Sequence, residues 1–268
     1  MQASELASTL LPDKVRIIEA GPAVGLVEIN RPKVRNALDV ETVAALGRAL
    51  FEMDSDPAIR AIVIAGVEGH LSAGSDIKEM HRLGFSCLRD PRRVEGWRRI
   101  ESVRTPLIAA VDGMAFGAGF ELALLADFIV CAKSASFGLP EVKLGVMPGD
   151  GGSQRLARLI GQNAALRIIL TGETVSGEAA MNMGIATPAD DGSGSARETA
   201  LRLAAQISEH APLATRMVKK VVRSGLECSL ATGLTLEADA LEILFGTSDR
   251  AEGMTAFVEK RAPRFEGR

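Results

Sequence analysis

Three short runs of almost uninterrupted apolar residues constrain the fold of this chain more than any other feature of its sequence. They are IRAIVIAG at 59–66, PLIAAVDG at 106–113 and DFIVCAK at 127–133. Continuous apolar runs that contain β-branched residues are typical of parallel strands buried on both faces. Segments with helical spacing separate these runs. Strands that alternate with helices predict an α/β core.

The N-terminal part predicts a hairpin and a long helix. Residues 15–29 contain two β-rich runs around Gly21 and Pro22, which predicts a hairpin that enters the sheet. Apolar residues at helical spacing follow over 39–56, with Asp39 placed to cap the helix. Residues 80–104 interrupt the alternation with a cluster of arginines, and we expect a solvated helix and loop there.

The C-terminal part predicts only helices. After the turn-rich segment TPADDGSGSA at 187–196, helical patterns cover 197–209, 212–224, 229–245 and 249–261. Asp249 and Glu252 have the spacing of a capping box. We therefore predict an α/β core over residues 1–195 and a helical region over 196–268. The apolar faces of that region must pack on the core or on another subunit.

Composition and charge argue against several classes of protein. The chain has 268 residues, of which 47% are hydrophobic and 24% charged, and a formal net charge of -3, unlike a general nucleic-acid binder. Three distant cysteines argue against a disulfide framework and a structural zinc site. Acidic residues break every apolar run before the roughly 18 residues needed to cross a bilayer. The N-terminus shows no targeting signal, so we expect a cytoplasmic protein.

Glu121 is the one charged residue in an otherwise apolar stretch, from Ala115 to Ala126 within GMAFGAGFELALLAD. A surface helix would carry charges at every turn, so Glu121 is expected to be buried. An unpaired buried carboxylate is costly. Two interpretations stay open: a residue of the first helical turn that the helix dipole or a cap stabilises, or an acid or base in a closed site.

Three glycine-containing segments each follow a predicted strand, namely LSAGSD at 71–76, AFGAGFE at 115–121 and LGVMPGDGGSQR at 144–155. Such turns either make plain tight connections or leave main-chain N–H groups free to bind a ligand. Two converging turns would place two donors on one oxygen, as an oxyanion hole requires. A dinucleotide fingerprint is excluded, because Leu122 stands where a third small residue is needed.

Glu141 is a second informative carboxylate, in the segment FGLPEVKLG. Taken singly, it is interpreted as an exposed loop acid. Taken together with Glu121 beside two glycine turns, it would supply a site with both a base and an acid. Burial and mutual repulsion would keep one carboxyl group ionised and the other protonated near neutral pH.

Six ordered stretches resemble the successive signatures of the enoyl-CoA hydratase/isomerase (crotonase) superfamily, and the likeness covers nearly the whole chain. They are NRPKVRNAL at 30–38, LSAGSDIKEM at 71–80, PLIAAVDGMAFGAGFELALLAD at 106–127, FGLPEVKLGVMPGDGGSQRL at 137–156, LTGETVSGEAAMNMGI at 170–185 and GMTAFVEKR at 253–261. The resemblance implies a spiral of ββα repeats. It also implies a C-terminal helical region that forms trimers, often as a dimer of trimers.

The same resemblance implies roles for single residues. The backbone N–H groups of Ser75 and Ala118 match the oxyanion hole for the thioester carbonyl of an acyl-CoA. The family more often has alanine and glycine at these two positions, changes that a main-chain donor should tolerate. Glu121 and Glu141 match the two glutamates of the true hydratases, which add water to a trans-2-enoyl-CoA and give a 3-hydroxyacyl-CoA.

Further positions follow from the resemblance. Gly149 is expected near the attacking water, and Asp150 departs from the small residue that usually follows it. Coenzyme A is expected to lie against Lys33, Val34, Arg35, Asp76, Ile77 and Lys78, with Lys260 contributed by this or a neighbouring subunit. The side chains of Lys78 and Lys260 would meet its phosphates. Coenzyme A belongs to the substrate, and no metal or redox cofactor is implied.

Several alternatives stay open. Asp150 either caps the helix that starts near Gly152 or faces the acyl pocket, and in the second case isomerisation of an enoyl-CoA or a polar acyl chain is favoured. Phe85, Leu88 and Trp97 either line that pocket or simply pack. A remote alternative is an RNA-binding relative, suggested by the arginines of 89–104, although Asp90, Glu95 and Glu101 dilute their charge.

Overall fold

The computed structural model describes residues 13–189 and 195–268. Within these ranges the chain forms nine strands, β1 (Val15–Gly21), β2 (Val24–Ile29), β3 (Ala61–Gly66), β4 (Leu107–Val111), β5 (Met114–Phe116), β6 (Phe128–Cys131), β7 (Ser136–Gly138), β8 (Thr174–Ser176) and β9 (Thr187–Pro188). The N-terminal stretch through residue 12, and residues 190–194 of the turn-rich segment, lie outside the described residues.

Six strands form the main sheet, in the order β1-β2-β3-β4-β6-β9. The strands β2, β3, β4, β6 and β9 run parallel, and β1 pairs antiparallel with β2 at the edge as the predicted hairpin. The three apolar runs of the sequence become β3, β4 and β6. Every residue of β3 is buried, as the pattern predicted. The predicted α/β core is confirmed.

Helices make up most of the remaining described chain. They are α1 (Val40–Ser55), α2 (Ile77–Leu83), α3 (Phe85–Arg89), α4 (Pro91–Glu101), α5 (Ala118–Ala123), α6 (Gly152–Ile160), α7 (Gln162–Thr171), α8 (Gly177–Asn182), α9 (Ala196–Ser208), α10 (Pro212–Gly225), α11 (Leu230–Phe245) and α12 (Ser248–Glu259).

The main sheet lies between two helical layers. Alternate residues of β3 point to opposite faces, so that Ile62 and Ile64 join one core cluster with Leu46 and Leu50 of α1. Val63 joins the other cluster, with the alanines of α9. At the start of α1 the Asp39 carboxylate accepts a hydrogen bond from the Thr42 N–H at 2.8 Å, which is the predicted cap.

A small second sheet, in the order β5-β7-β8, brings distant segments together. The strands β5 and β7 are parallel, and the Gly117 N–H that follows β5 donates to the Gly138 carbonyl at 2.9 Å. Helix α5 begins directly after Gly117, and a 3-10 helix at Glu141–Leu144 begins shortly after β7. The two glutamates that stand out in the sequence therefore follow neighbouring strands.

The arginine-rich segment is more ordered and more closely packed than the sequence predicts. It forms α2, α3 and α4 instead of one helix and a loop. Helix α4 lies tightly against α1, because a Cβ on Gly96 would lie only 2.6 Å from the Val43 carbonyl oxygen. Arg92 and Arg98 face solvent as expected, whereas Arg93 is largely buried.

The four C-terminal helices occur within one residue of the predicted bounds at most ends. The predicted capping box is wrong, because the Thr247 hydroxyl caps α12 and the Asp249 carboxylate accepts hydrogen bonds from the Glu266 and Gly267 N–H groups instead.

The division of the chain into two regions at residue 195 stays a prediction. No helix in the described ranges is long and apolar enough to cross a membrane, and the cytoplasmic location stays a prediction.

Candidate active site

Two of the three glycine turns meet at one place in the fold. Ser72 and Ala115 form a parallel bridge, and the Phe116 N–H donates to the Ser72 carbonyl at 3.0 Å. A Cβ on Gly74 would lie only 2.8 Å from the Phe116 carbonyl oxygen and 3.6 Å from Gly117 Cα, so the two turns lie too close for a larger residue at Gly74. Both glycines have positive φ, which other residues rarely adopt. The residue after each glycine, Ser75 or Ala118, therefore lies at the junction.

The amides of Ser75 and Ala118 are both free to bind a ligand. The Leu38 N–H donates to the Gly74 carbonyl at 2.8 Å, and the Asp76 N–H donates to the Leu38 carbonyl at 2.9 Å. Peptide groups alternate along an extended segment, so the Ser75 N–H between them points away from Leu38. Ala118 is the first residue of α5, where an N–H has no partner inside the helix. Within residues 13–189 and 195–268, neither amide donates a hydrogen bond.

Glu121 lies in the first turn of α5 and is 2% exposed. Its Oε1 accepts hydrogen bonds from the Gly152 N–H at 2.7 Å and the Asp150 N–H at 2.9 Å. Burial is the main cause that raises the pKa of Glu121 to about 7, followed by the charge of Asp150, while the two N–H groups oppose the shift. A carboxyl group with this pKa exchanges a proton readily near neutral pH.

Glu141 begins the 3-10 helix and faces the same place. A Cβ on Gly117 would lie 3.1 Å from Glu141 Oε1, so this carboxyl group lies against the turn that carries Ala118. Its Oε2 is buried and, within the described residues, has no hydrogen-bond partner. Burial raises the pKa of Glu141, and the charge of Asp150 acts in the same direction. The charge of Glu141 in turn helps to raise the pKa of Glu121. Glu141 is therefore not the exposed loop acid that its segment alone suggested.

Asp150 does not cap the following helix, which corrects one of the two interpretations of this residue. Gly151 occupies the cap position of α6, and no side chain caps its N-terminus. The Asp150 carboxylate instead forms an ion pair with Arg93, at 2.5 Å between Oδ2 and Nη2. Gly149 precedes it with open space on its Cα, where a Cβ would meet no atom within 4 Å.

Arg93 is the site residue that the sequence did not indicate. It is one of several arginines in a segment predicted to be solvated, and 57 positions separate it from Asp150. The only available signal was the pairing of an unusual acid at 150 with an arginine-rich segment. Of the three side chains proposed for the acyl pocket, Phe85 and Leu88 are exposed, and Trp97 packs against the main core.

The segments expected to hold coenzyme A lie side by side. The Ala73 N–H donates to the Arg35 carbonyl at 2.9 Å, which joins the segment of Lys33, Val34 and Arg35 to the start of the Ser75 turn. Those three residues are exposed, as are Ile77 and Lys78 in the first turn of α2. The Asp76 carboxylate pairs with Arg31 at 3.0 Å and caps α2, and its predicted contact with coenzyme A stays a prediction.

Lys260 lies apart from these segments. It follows the last residue of α12 in a left-handed conformation. No hydrogen bond or ion pair of the described chain joins its side chain to the rest of the site. Its role in binding coenzyme A, from this or a neighbouring subunit, stays a prediction. The described residues also contain no cluster of three or more potential metal-ligating side chains.

The arrangement can stabilise an oxyanion and move protons beside it. Two main-chain N–H groups without a partner in the described residues follow the two adjoining glycine turns, and the carboxyl groups of Glu121, which is buried, and Glu141, which is half-buried, lie nearby with raised pKa values. Such a set can hold a carbonyl oxygen while the neighbouring carbons gain or lose protons.

Comparisons with known proteins agree with this chemistry. The family model for enoyl-CoA hydratase/isomerase matches residues 19–268. The chain is 43% identical over 255 residues to a probable enoyl-CoA hydratase of Mycobacterium bovis, covering 94% of this chain and 98% of the relative. It is 39% identical over 255 residues to a 2,3-dehydroadipyl-CoA hydratase of Escherichia coli, covering 94% and 98%.

A solved structure supports the same conclusion. An enoyl-CoA hydratase from Bacillus anthracis superposes with a TM-score of 0.90 at 33% identity, covering 95% of this chain and all of that one. The fold is therefore the crotonase fold that the resemblance implied. The chain belongs to the enoyl-CoA hydratase/isomerase family.

Proposed function

We propose that this protein is an enoyl-CoA hydratase, a hydro-lyase that adds water across the 2,3 double bond of a trans-2-enoyl-CoA. The observation that carries the proposal is the presence of two glutamates, Glu121 and Glu141, beside the free amides of Ser75 and Ala118. Relatives with 39–43% identity over most of the chain bear hydratase names.

The oxyanion hole supplies the first part of the mechanism. Attack of water on C3 moves negative charge to the thioester oxygen. The amides of Ser75 and Ala118 would each donate a hydrogen bond to that oxygen and stabilise the enolate-like transition state. One such donor typically contributes about 2.7 to 4 kcal/mol. Because the donors are main-chain groups, the serine and alanine side chains at these positions leave them intact.

The two glutamates supply the protons. The pKa of Glu121 near 7 and the raised pKa of Glu141 favour a pair in which one group is ionised and the other protonated. The ionised group takes a proton from water as its oxygen bonds to C3. The protonated group gives a proton to C2. The pair ends the cycle with the same total number of protons. We infer that the water lies near Gly149, where a Cβ would meet no atom within 4 Å.

The remaining parts of the site hold the substrate. We infer that coenzyme A lies along Lys33, Val34, Arg35, Ile77 and Lys78, with lysine ammonium groups near its phosphates. Lys260 of a neighbouring subunit would complete this binding. The exposure and close spacing of the two segments support the assignment.

An absorbance assay of crotonyl-CoA hydration tests the proposal. Replacing Glu121 or Glu141 by glutamine keeps the shape and removes the proton transfer, so each change should lower kcat by about 10² to 10⁴. Glu52→Gln, an exposed position on α1, is the matched control and should leave the rate unchanged.

The alternative activity predicts another pattern. A native protein that shifts the double bond without hydrating it, and that loses this activity only in Glu141→Gln, would replace hydration by isomerisation. The enzymatic role would be rejected if the native protein showed neither activity and bound RNA in a salt-dependent manner.

A further inference from the structure

Helix α4 is joined to the loop that holds Glu121 by two ion pairs. Arg93 Nη2 lies 2.5 Å from Asp150 Oδ2, and Glu101 Oε1 lies 2.5 Å from Arg155 Nη2. Arg155 Nη1 also donates to the Asp150 carbonyl at 2.9 Å. Both ends of α4 thus hold the short segment from Asp150 to Arg155, whose first N–H groups bind Glu121.

The pair near the glutamates is the more buried of the two. The Arg93 and Asp150 side chains are 13% and 9% exposed, whereas Glu101 is 62% exposed. The Arg93 guanidinium also lies over the Trp97 ring, 6.0 Å from its centre. A short ion pair with little access to water is weakly screened, so its charges act strongly on neighbouring groups.

Asp150 acts on Glu121 in two opposite ways. Its main-chain N–H donates to Glu121 Oε1 and favours the ionised carboxylate. Its side-chain charge repels that carboxylate and favours the protonated form, and this charge is second only to burial among the causes that raise the pKa of Glu121. The position of Asp150 therefore influences both the orientation and the charge of Glu121.

We propose that Arg93 and Asp150 are a positioning pair that holds the Glu121 loop against helix α4 and controls the charge of Glu121 during hydration. This inference rests on the proposed function for its role in catalysis. Arg93 fixes the Asp150 carboxylate and offsets part of its field. The resulting balance keeps Glu121 able to take up and release a proton, while neither residue of the pair needs to touch the reacting atoms.

Three further titratable or charged groups act near the pair, namely Glu141, Arg155 and Cys87. Glu141 faces Glu121 from the 3-10 helix and raises its pKa. Arg155 acts on Asp150 from α6, although burial still raises the pKa of Asp150. On the far side, Cys87 of α3 is buried and its thiol has a raised pKa, so it adds no charge. Arg93 is thus the cation that can be removed most selectively.

The test compares two neutralising substitutions that have opposite electrostatic effects. Asp150→Asn removes a negative charge beside Glu121, and we expect the apparent pKa of the kcat/KM profile nearest 7 to fall by roughly one pH unit. Arg93→Met removes the ion-pair partner of Asp150 and leaves its negative charge less compensated, by Arg155 alone, so the same apparent pKa near 7 should rise. The double variant should lie between the two. Arg98→Met, an exposed arginine on the same helix, is the control and should leave the profile in place.

The same titration can be followed without turnover. The infrared band of protonated carboxyl groups, measured against pH, should contain a component that Glu121→Gln removes. This component should shift in the same directions in the two single variants. Asp150→Glu or Arg93→Lys should restore part of the native profile, which a purely structural defect would not show.

Two results would overturn the inference. One is a pH profile and infrared titration that stay unchanged in both variants, and the other is a shift in the same direction in both. If the native protein does not hydrate crotonyl-CoA, the proposed function fails, while the infrared titration still decides whether the pair controls the charge of Glu121.

Discussion

At the scale of single residues, the surroundings of Glu121 explain why a lone carboxylate stands in an apolar stretch. Only 2% of the residue is exposed, and two main-chain N–H groups replace part of the lost water. These bonds do not offset burial and the nearby charge of Asp150, so the pKa stays raised to about 7. The group is costly for folding when it is ionised, and useful for proton transfer for the same reason.

This cost predicts a pH-dependent stability. The pKa of Glu121 is about 7 in the folded state, and its ordinary value is 4.5. Between these two pH values the folded state therefore keeps a proton on Glu121 that the unfolded state releases. Protonated Glu121 therefore contributes its full stabilisation of the folded state below the ordinary pKa of 4.5. This stabilisation is lost as the pH rises through the folded-state pKa of about 7. The loss amounts to about 3 kcal/mol.

The Glu121→Gln variant should not show this loss. The difference in thermal midpoint between variant and native protein should grow in favour of the variant between about pH 5 and about pH 8. Glu52→Gln should follow the native protein throughout. A constant difference between Glu121→Gln and the native protein would contradict the raised pKa.

At the scale of elements, the contact between α1 and α4 positions part of the site. Glycines on both helices allow their backbones to approach, since a Cβ on Gly47 would lie 2.6 Å from the Gly96 carbonyl oxygen. The close packing fixes α4, and through Arg93 it fixes the loop at Asp150. A helix–helix contact distant from the glutamates along the chain therefore supports their geometry.

Gly96→Ala tests this contact. The new methyl group would meet the Val43 carbonyl oxygen, which is backbone and cannot move aside, so the helices must separate. We expect a loss of about 1 to 3 kcal/mol in the free energy of unfolding, measured by urea denaturation, and a lower hydration rate. Val94→Ala, an exposed position on the same helix, should change neither quantity measurably. Full stability in Gly96→Ala would show that the helices can separate at no cost.

At the scale of the whole molecule, the polar and apolar faces of helix α10 are exchanged relative to those of an ordinary surface helix. Its polar face points to the core, where Lys219 and Arg223 pair with Asp127 at 2.9 and 2.7 Å. Its apolar residues Val218 and Val222 are exposed, as is Leu226 directly after its end, and α11 and α12 expose further large apolar side chains. A soluble monomer rarely exposes such a surface. An apolar surface of this kind is typical of contacts between subunits, and the trimer or dimer of trimers stays a prediction.

Val222→Glu tests the assembly. A carboxylate in the centre of this apolar face would be buried without a partner on association, so the oligomer should dissociate to smaller species in analytical ultracentrifugation. Gln206→Glu adds the same charge at an exposed position on α9 and should leave the assembly intact. A native protein that sediments as a monomer would contradict the prediction.

Neighbouring residues along the chain were enough to predict the local features. Apolar runs specified β3, β4 and β6, Asp39 specified the start of α1, and the apolar neighbours of Glu121 specified its burial, because these properties depend on residues adjacent along the chain. The resemblance to a known family then suggested which residues would meet. The assignment of Asp249 to a cap failed, because backbone N–H groups of the distant C-terminal segment bind its carboxylate.

Which distant groups meet depends on how the whole chain packs. The approach of Gly74 to Gly117, the position of Glu141 beside that turn and the pairing of Arg93 with Asp150 each depend on the directions in which loops leave the sheet. Hydrophobic periodicity indicates which face of an element is buried, but it carries no information on which charged side chain will find its partner across the core. That choice is made when the packed elements bring specific groups within a few ångströms and exclude the water that would otherwise solvate them.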